Sequence, residues 1–111
     1  MAQRHAQSGQ VVSVLPLGDR LNGVRTTALL KAEQLEVVRI VLPAGHGLPE
    51  HKTPGEITVQ CIEGRIEFRT PGRLQVLEPG DFIHLRREEP HSLQALLDSS
   101  ALVTICIGPP H

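Results

Sequence analysis

The chain has 111 residues, of which 40% are hydrophobic and 2% aromatic, with no Trp and no Tyr. This length suits a single domain with one modest core, and no apolar run approaches the roughly 20 residues that a membrane-spanning helix needs. The formal net charge is -1. No block of like charges is present, which argues against a nucleic-acid interface or a polybasic membrane contact.

The N-terminal segment is predicted to be an arm, residues 1–24, that leads into one domain, residues 25–111. Its opening, MAQRHAQSGQ, is polar and lacks the apolar segment of a secretory signal, which predicts a cytoplasmic protein. Within the arm, residues 11–15 (VVSVL) have the composition of a strand. Cys61 and Cys106 lie in apolar, strand-like runs and are predicted to be buried thiols rather than a disulfide.

The rest of the chain is predicted to form one short strand after another. Pro and Gly recur at short intervals, and no stretch of useful length shows the 3.6-residue apolar period of a helix. The first two runs flank Glu33-Gln34 and predict a hairpin, and a single glycine, Gly64, separates the next two. The predicted strands fall at residues 26–32, 35–43, 56–63, 65–70, 73–78, 81–85, 91–97 and 101–107.

This succession of about eight to ten short strands, joined by turns such as Pro71-Gly72 and Pro79-Gly80, is typical of an antiparallel sandwich or barrel. The sequence therefore predicts an all-β, antiparallel, single-domain fold.

Two segments carry a recognisable motif. The first begins at Gly45, two residues before the stretch GLPEHKTPGEITVQCIEG; Gly45 is followed after five residues by His51, and Gly64 closes the segment. In the second, GDFIHLRREEPHSLQA, the motif begins at Gly80 and reaches His91. Both segments resemble, in order and spacing, the two motifs of the cupin superfamily of small RmlC-like jelly rolls.

The resemblance covers roughly residues 26–107 and implies an antiparallel jelly-roll β-barrel. It also implies a metal site of four ligands, three histidines and a glutamate, of which this chain matches His51 and His91. Thr53 stands at the position of the second histidine of the first motif, and Ile57 at the position of the glutamate, with Glu56 one residue early. The metal motif is therefore degenerate.

Alternation of side chains along strands predicts which residues share the interior of the barrel. If His51 points inward, so does Thr53, and the register counted back from Gly64 places Ile57 inside rather than Glu56. A slip of one residue would exchange these two. The predicted pocket is lined by His51, Thr53, Ile57, Val59, Cys61, His91 and Leu93.

Two functions of different classes follow. In the first, the protein binds a small polar or anionic molecule between His51 and His91, and a divalent transition metal (Fe, Mn, Ni or Zn) is an option there. In the second, it is a metal-dependent oxygenase or isomerase whose ligands are His51, His91 and Glu56, provided that Pro54-Gly55 turns the glutamate inward. The sequence does not identify a substrate.

The assembly expected of this chain is a homodimer. The runs at residues 26–32, 35–43 and 101–107 are apolar on both faces, whereas a strand with one face in water alternates more regularly. A two-fold dimer built on residues around 26–42 and 101–107, with the arm available for exchange, would cover the second face. Small cupins commonly pair through their early strands, so the resemblance implies the same. Val38 and Val103 are candidate positions on that outer face.

Overall fold

Nine short strands make up the body of the computed structural model, which describes residues 5–108. One 3₁₀ helix, Gly18–Gly23, precedes them. No helix among these residues is long and apolar enough to cross a bilayer. The strands are β1 Thr27–Lys31, β2 Leu35–Leu42, β3 Gly47–His51, β4 Ile57–Glu63, β5 Ile66–Thr70, β6 Arg73–Leu77, β7 Phe82–Leu85, β8 His91–Ala95 and β9 Ser99–Cys106.

Hydrogen bonds divide these strands between two sheets. One sheet has five strands in the order β1-β2-β9-β4-β7, and the other has four in the order β3-β8-β5-β6. Every neighbouring pair is antiparallel. The predicted class, an all-β antiparallel jelly roll, is confirmed, and so is the hairpin of β1 and β2.

The core lies between the two sheets because the strands alternate in polarity. In β4, Ile57, Val59 and Cys61 are at most 4% exposed, while Thr58 and Gln60 lie on the opposite face. The facing sheet contributes Phe68 and other side chains of β5 and β8. The residues of the central cluster are Ile40, Leu42, Ile57, Val59, Cys61, Ile66, Phe68, Leu77, Leu85, Leu93, Ala95 and Ala101.

Two local predictions were wrong. Residues 11–15 form no strand, since this part of the arm pairs with no sheet. Conversely, β3 was not predicted because Gly47 and Pro49 disfavour a strand. It forms at the edge of its sheet, where a proline costs no ladder hydrogen bond, and it pairs with β8 across an irregularity between Leu48 and His51.

The two cysteines are both free, but they differ in environment. Cys61 is buried in the core, and burial raises the pKa of its thiol to about 11, which leaves it protonated and unreactive. Cys106 is exposed at the end of β9, so the prediction that both thiols are buried was wrong for this residue.

Glu63 is one of the residues that hold the N-terminal segment, residues 5–24, against the strands. The backbone N–H groups of Leu17 and Gly18 donate to Glu63 at 2.8 and 2.9 Å, and the Ser100 hydroxyl donates to the same side chain. Immediately after this attachment, Leu21 is 3% exposed. Glu63 therefore holds the arm where it enters the 3₁₀ helix.

We expect Glu63→Gln to loosen this attachment and to remove a pH dependence of stability. Burial opposes ionisation of Glu63, but the three hydrogen bonds and the charge of Arg39 outweigh it, so its pKa lies below the ordinary 4.5. The stabilisation is complete above that value and is lost as the pH falls through the lower folded-state pKa. Losing charge-assisted hydrogen bonds should cost about 2 kcal/mol near neutral pH.

Denaturant unfolding of both proteins between neutral and acidic pH measures this effect. Glu78→Gln is the matched control, because Glu78 makes an exposed ion pair with Arg65 at 3.5 Å, and such pairs contribute little. Identical unfolding curves for the wild type and Glu63→Gln at all pH values would contradict the attachment.

Candidate functional site

The two motif histidines lie side by side although they are far apart in sequence. His51 ends β3, His91 begins β8, and the two residues are partners in the ladder that joins these strands. Their ring centroids are 4.3 Å apart, and the ring planes are inclined by 57°. His91 also stacks on Phe68 of β5, with centroids 5.8 Å apart and planes within 3° of parallel. This stacking fixes the orientation of the His91 ring.

Backbone carbonyls determine the tautomer of both rings. His51 Nδ1 lies 3.0 Å from the Pro49 carbonyl oxygen, and His91 Nδ1 lies 2.9 Å from that of Glu89. A carbonyl oxygen only accepts hydrogen bonds, so each Nδ1 carries a proton. In the neutral ring the lone pair is then on Nε2. The pair therefore presents two Nε2 atoms as acceptors or ligands.

The two imidazoles differ in exposure. His91 is 3% exposed, whereas His51 is exposed at the mouth between the sheets. Burial lowers the pKa of His91, and the neighbouring His51 ring lowers it further, while the hydrogen bond to the Glu89 carbonyl opposes them. His91 is consequently uncharged at neutral pH.

Beside this pair lies a cavity of about 130 Å³ between the two sheets. Its lining includes six of the seven predicted pocket residues: His51, Thr53, Ile57, Val59, His91 and Leu93. Cys61 is the exception, because it lies deeper along β4, pairs with Ala101 and is fully buried in the core. Its assignment to the pocket is corrected accordingly.

Sequence reasoning missed five lining residues, all of them aliphatic. Two of these, Val38 and Val103, had been considered for the outer face, but both pack against the core and line the cavity. Their neighbours Val37 and Leu102 take the outer face. The sequence shows that side chains alternate between the two faces of each strand. It does not show which face points inward. The five residues are Val38, Ile40, Leu48, Val103 and Ile105.

Glu56, the tentative third metal ligand, does not join the histidines. Its carboxylate Oε1 lies 2.8 Å from His84 Nε2, and both side chains are exposed. Its backbone carbonyl accepts a hydrogen bond from Cys106, so the chain enters β4 with Ile57 inward, as the register from Gly64 predicts. The ligand set of His51, His91 and Glu56 is therefore corrected to the two histidines.

The donor set that remains does not fit a transition-metal centre. Thr53 is neutral, and its hydroxyl lies 2.9 Å from the Gly55 carbonyl oxygen, to which it donates. Within residues 5–108, no three His, Cys, Asp or Glu side chains are grouped so that they could hold a metal ion. Protein sites for zinc use at least three such ligands, and non-haem iron sites use two histidines with a carboxylate.

A wider groove of about 920 Å³ adjoins the cavity at its mouth. Thr53 and Ile105 line both spaces. The groove also contains Arg86 and Arg87 together with acidic side chains from the neighbouring loops. Charged side chains therefore border the approach to the apolar cavity.

Comparison with known proteins agrees with these motifs. The family profile described as "Cupin domain" matches residues 38–108, well over half of the chain. No curated protein matches the sequence. The predicted resemblance to the cupin superfamily is thus confirmed at the level of family and fold.

Several solved structures are similar to this chain. A conserved protein of unknown function from Streptococcus pyogenes has a TM-score of 0.74 and 16% identity, with 100% of this chain and 97% of that chain covered. An RmlC-like cupin from Desulfovibrio desulfuricans has a TM-score of 0.67 and 25% identity, with 92% and 97% covered. Salicylate 1,2-dioxygenase from Pseudoaminobacter salicylatoxidans has a TM-score of 0.63 and 25% identity, but the similarity covers 66% of this chain and 21% of that chain. Fold similarity does not transfer function, which depends on the side chains of the site.

Proposed function

The chain belongs to the cupin domain family, and from that premise we propose that it binds a small molecule with a polar or anionic group in the cavity beside His51 and His91. The observation that carries this proposal is the pair of imidazoles, oriented by backbone carbonyls, at the edge of an otherwise aliphatic cavity. Apolar pockets with a few convergent polar groups are the usual form of small-molecule sites.

Each part of the site has a role in binding. The aliphatic walls exclude water and hold the apolar part of the ligand. His91, fixed by Phe68 and by the Glu89 carbonyl, holds the polar group, and His51 contacts it from the exposed side. Because these interactions are built in before the ligand arrives, little ordering cost is left for binding.

The metal-dependent alternative is weaker for this chain because its third ligand, Glu56, is paired with His84 instead. With two imidazoles as the available donors, we expect the purified protein to contain transition metal well below one equivalent per chain. A metal-dependent oxygenase or isomerase activity is therefore not part of the proposal.

We expect a screen of small fragments to shift the imidazole Cε1–H signals of His51 and His91 in NMR spectra of the full-length protein. The imidazoles border the cavity, so a bound fragment changes their surroundings directly. His91→Gln should weaken binding by about tenfold, because a fixed hydrogen-bonding group is lost. His84→Gln is the control, since His84 lies on the outer face.

Two results would count against the proposal. One is a screen in which no fragment shifts either imidazole. The other is stoichiometric transition metal in elemental analysis of the purified protein that disappears in His51→Ala, which would favour the metal-dependent alternative.

We also propose that the protein is a homodimer. The outer face of β1, β2 and β9 borders a groove of about 830 Å³ whose lining includes Leu30, Val37 and Leu102. Along the arm, Val11 is 92% and Leu15 is 73% exposed. Apolar surface of this kind on a sheet is typical of an interface, and a second copy would cover both elements.

A further inference from the structure

Among residues 5–108, no charged side chain lines the cavity beside the imidazoles. Of the eleven residues that line it, eight are aliphatic, and the other three are His51, Thr53 and His91. An ionised group placed there would lose its hydration without gaining a counter-charge, which is costly. The part of a ligand that enters this cavity is therefore uncharged and mainly aliphatic.

The volume of the cavity limits the size of that part. A dry apolar cavity of about 150 Å³ accommodates benzene. At about 130 Å³, this cavity accommodates about five non-hydrogen atoms by the same measure. The ligand, or the portion of it that is enclosed, is thus the size of a four- or five-carbon unit.

The three polar side chains that line the cavity, His51, Thr53 and His91, offer acceptors. His51 and His91 each direct the Nδ1 proton to a backbone carbonyl, and Thr53 directs its hydroxyl proton to the Gly55 carbonyl. When both rings are neutral, the groups that remain are the lone pair on each Nε2 and the lone pairs on the Thr53 oxygen. Among residues 5–108, the hydrogen bonds given for these two rings are both made by Nδ1. A carboxylate would meet acceptors only, whereas an O–H group finds a partner.

We propose that the ligand is a small neutral aliphatic alcohol, or a molecule ending in such a unit, whose hydroxyl donates a hydrogen bond to His91 Nε2. This inference rests on the proposed function and narrows it from a polar or anionic group to an uncharged donor. His91 is the main acceptor because it is 3% exposed and has little access to water. The aliphatic part lies against Val59 and Leu93.

Four probes with the same number of non-hydrogen atoms test the donor requirement: butan-2-ol, butanone, protonated butan-2-amine and propanoate. Each is titrated into the full-length protein while the His91 Cε1–H signal is followed by NMR. We expect butan-2-ol to bind with a Kd of about a millimolar, as suits so small a ligand. Butanone, which only accepts hydrogen bonds, should bind about tenfold more weakly, and both ions more weakly still.

Variants test whether His91 is the acceptor that makes butan-2-ol bind more tightly than butanone. In His91→Leu, the difference between butan-2-ol and butanone, followed through the methyl signals of Val59 and Leu93, should disappear. In Thr53→Val it should shrink, and in the control His84→Gln it should be unchanged. If His91→Leu does not fold, the comparison of the four probes in the wild type decides whether the ligand must donate a hydrogen bond.

The outcomes separate this inference from the proposed function. Equal binding of butanone, or tighter binding of either ion, overturns the alcohol assignment but leaves the cavity as a ligand site. Binding of none of the four overturns the alcohol assignment as well, and the fragment screen then decides independently whether the cavity binds any ligand.

Discussion

Gly64→Ala is expected to destabilise the protein severely, whereas Gly72→Ala is expected to cost much less stability. Both glycines connect strands that are consecutive in the chain, and both have positive φ, +87° and +70°, so each alanine incurs the left-handed penalty of about 1–2 kcal/mol. The two differ in the space around them. A Cβ at Gly72 meets no atom of residues 5–108 within 4 Å, whereas a Cβ at Gly64 would overlap the Ser99 hydroxyl and the Asp98 carbonyl oxygen.

The atoms that crowd Gly64 cannot move aside easily. Ser99 is fully buried, its hydroxyl donates to the Leu97 carbonyl at 2.6 Å, and it accepts from the Arg65 N–H at 2.9 Å. Strain together with broken hydrogen bonds should raise the cost of Gly64→Ala to at least about 4 kcal/mol, a large part of the stability of a small domain. Denaturant unfolding of the two variants measures the difference. Equal losses of stability would show that the contact with Ser99 is not the cause.

Val37→Lys and Leu102→Lys are expected to convert a homodimer into monomers or into insoluble protein. Both side chains are half-buried and lie on the outer face of the five-stranded sheet, next to the groove along the arm. A lysine there would bring an unpaired charge into the interface, and removing it from water is costly. Neither residue belongs to the central core cluster, so the folded monomer should tolerate the change.

Leu74→Lys is the matched control, because Leu74 is 51% exposed on β6 of the other sheet. Sedimentation velocity at micromolar concentration should give a dimer for the wild type and for Leu74→Lys. The two variants of the outer face should sediment as monomers. A wild-type protein that sediments as a monomer under these conditions would refute the dimer.

Much of the fold was predictable from local chemistry. The turns at Gly64, Pro71-Gly72 and Pro79-Gly80 lie between strands in the structure as in the prediction. Residues that alternate in polarity, such as those of β4, separate onto two faces because successive side chains on a strand point in opposite directions. The position of Ile57 on the inner face follows from the same rule once Gly64 sets the register.

Long-range pairing was not predictable in the same way. The strand β3 forms although Gly47 and Pro49 disfavour it, because β8 supplies hydrogen-bond partners on one side. The arm contains the strand-like residues 11–15 and yet has no strand there, because no neighbouring strand pairs with it. Strand formation depends on a partner as much as on propensity.

The sequence by itself determined the fold class, the turns and the two motif histidines as candidates for one site. Only the tertiary structure decided that His51 and His91 are ladder partners, that Val38 and Val103 point inward, that Cys61 lies below the cavity, and that Glu56 pairs with His84. The physical reason is that alternation specifies which residues share a face of a strand. It specifies neither which face meets the core nor how deep a residue lies, because both depend on contacts between distant segments.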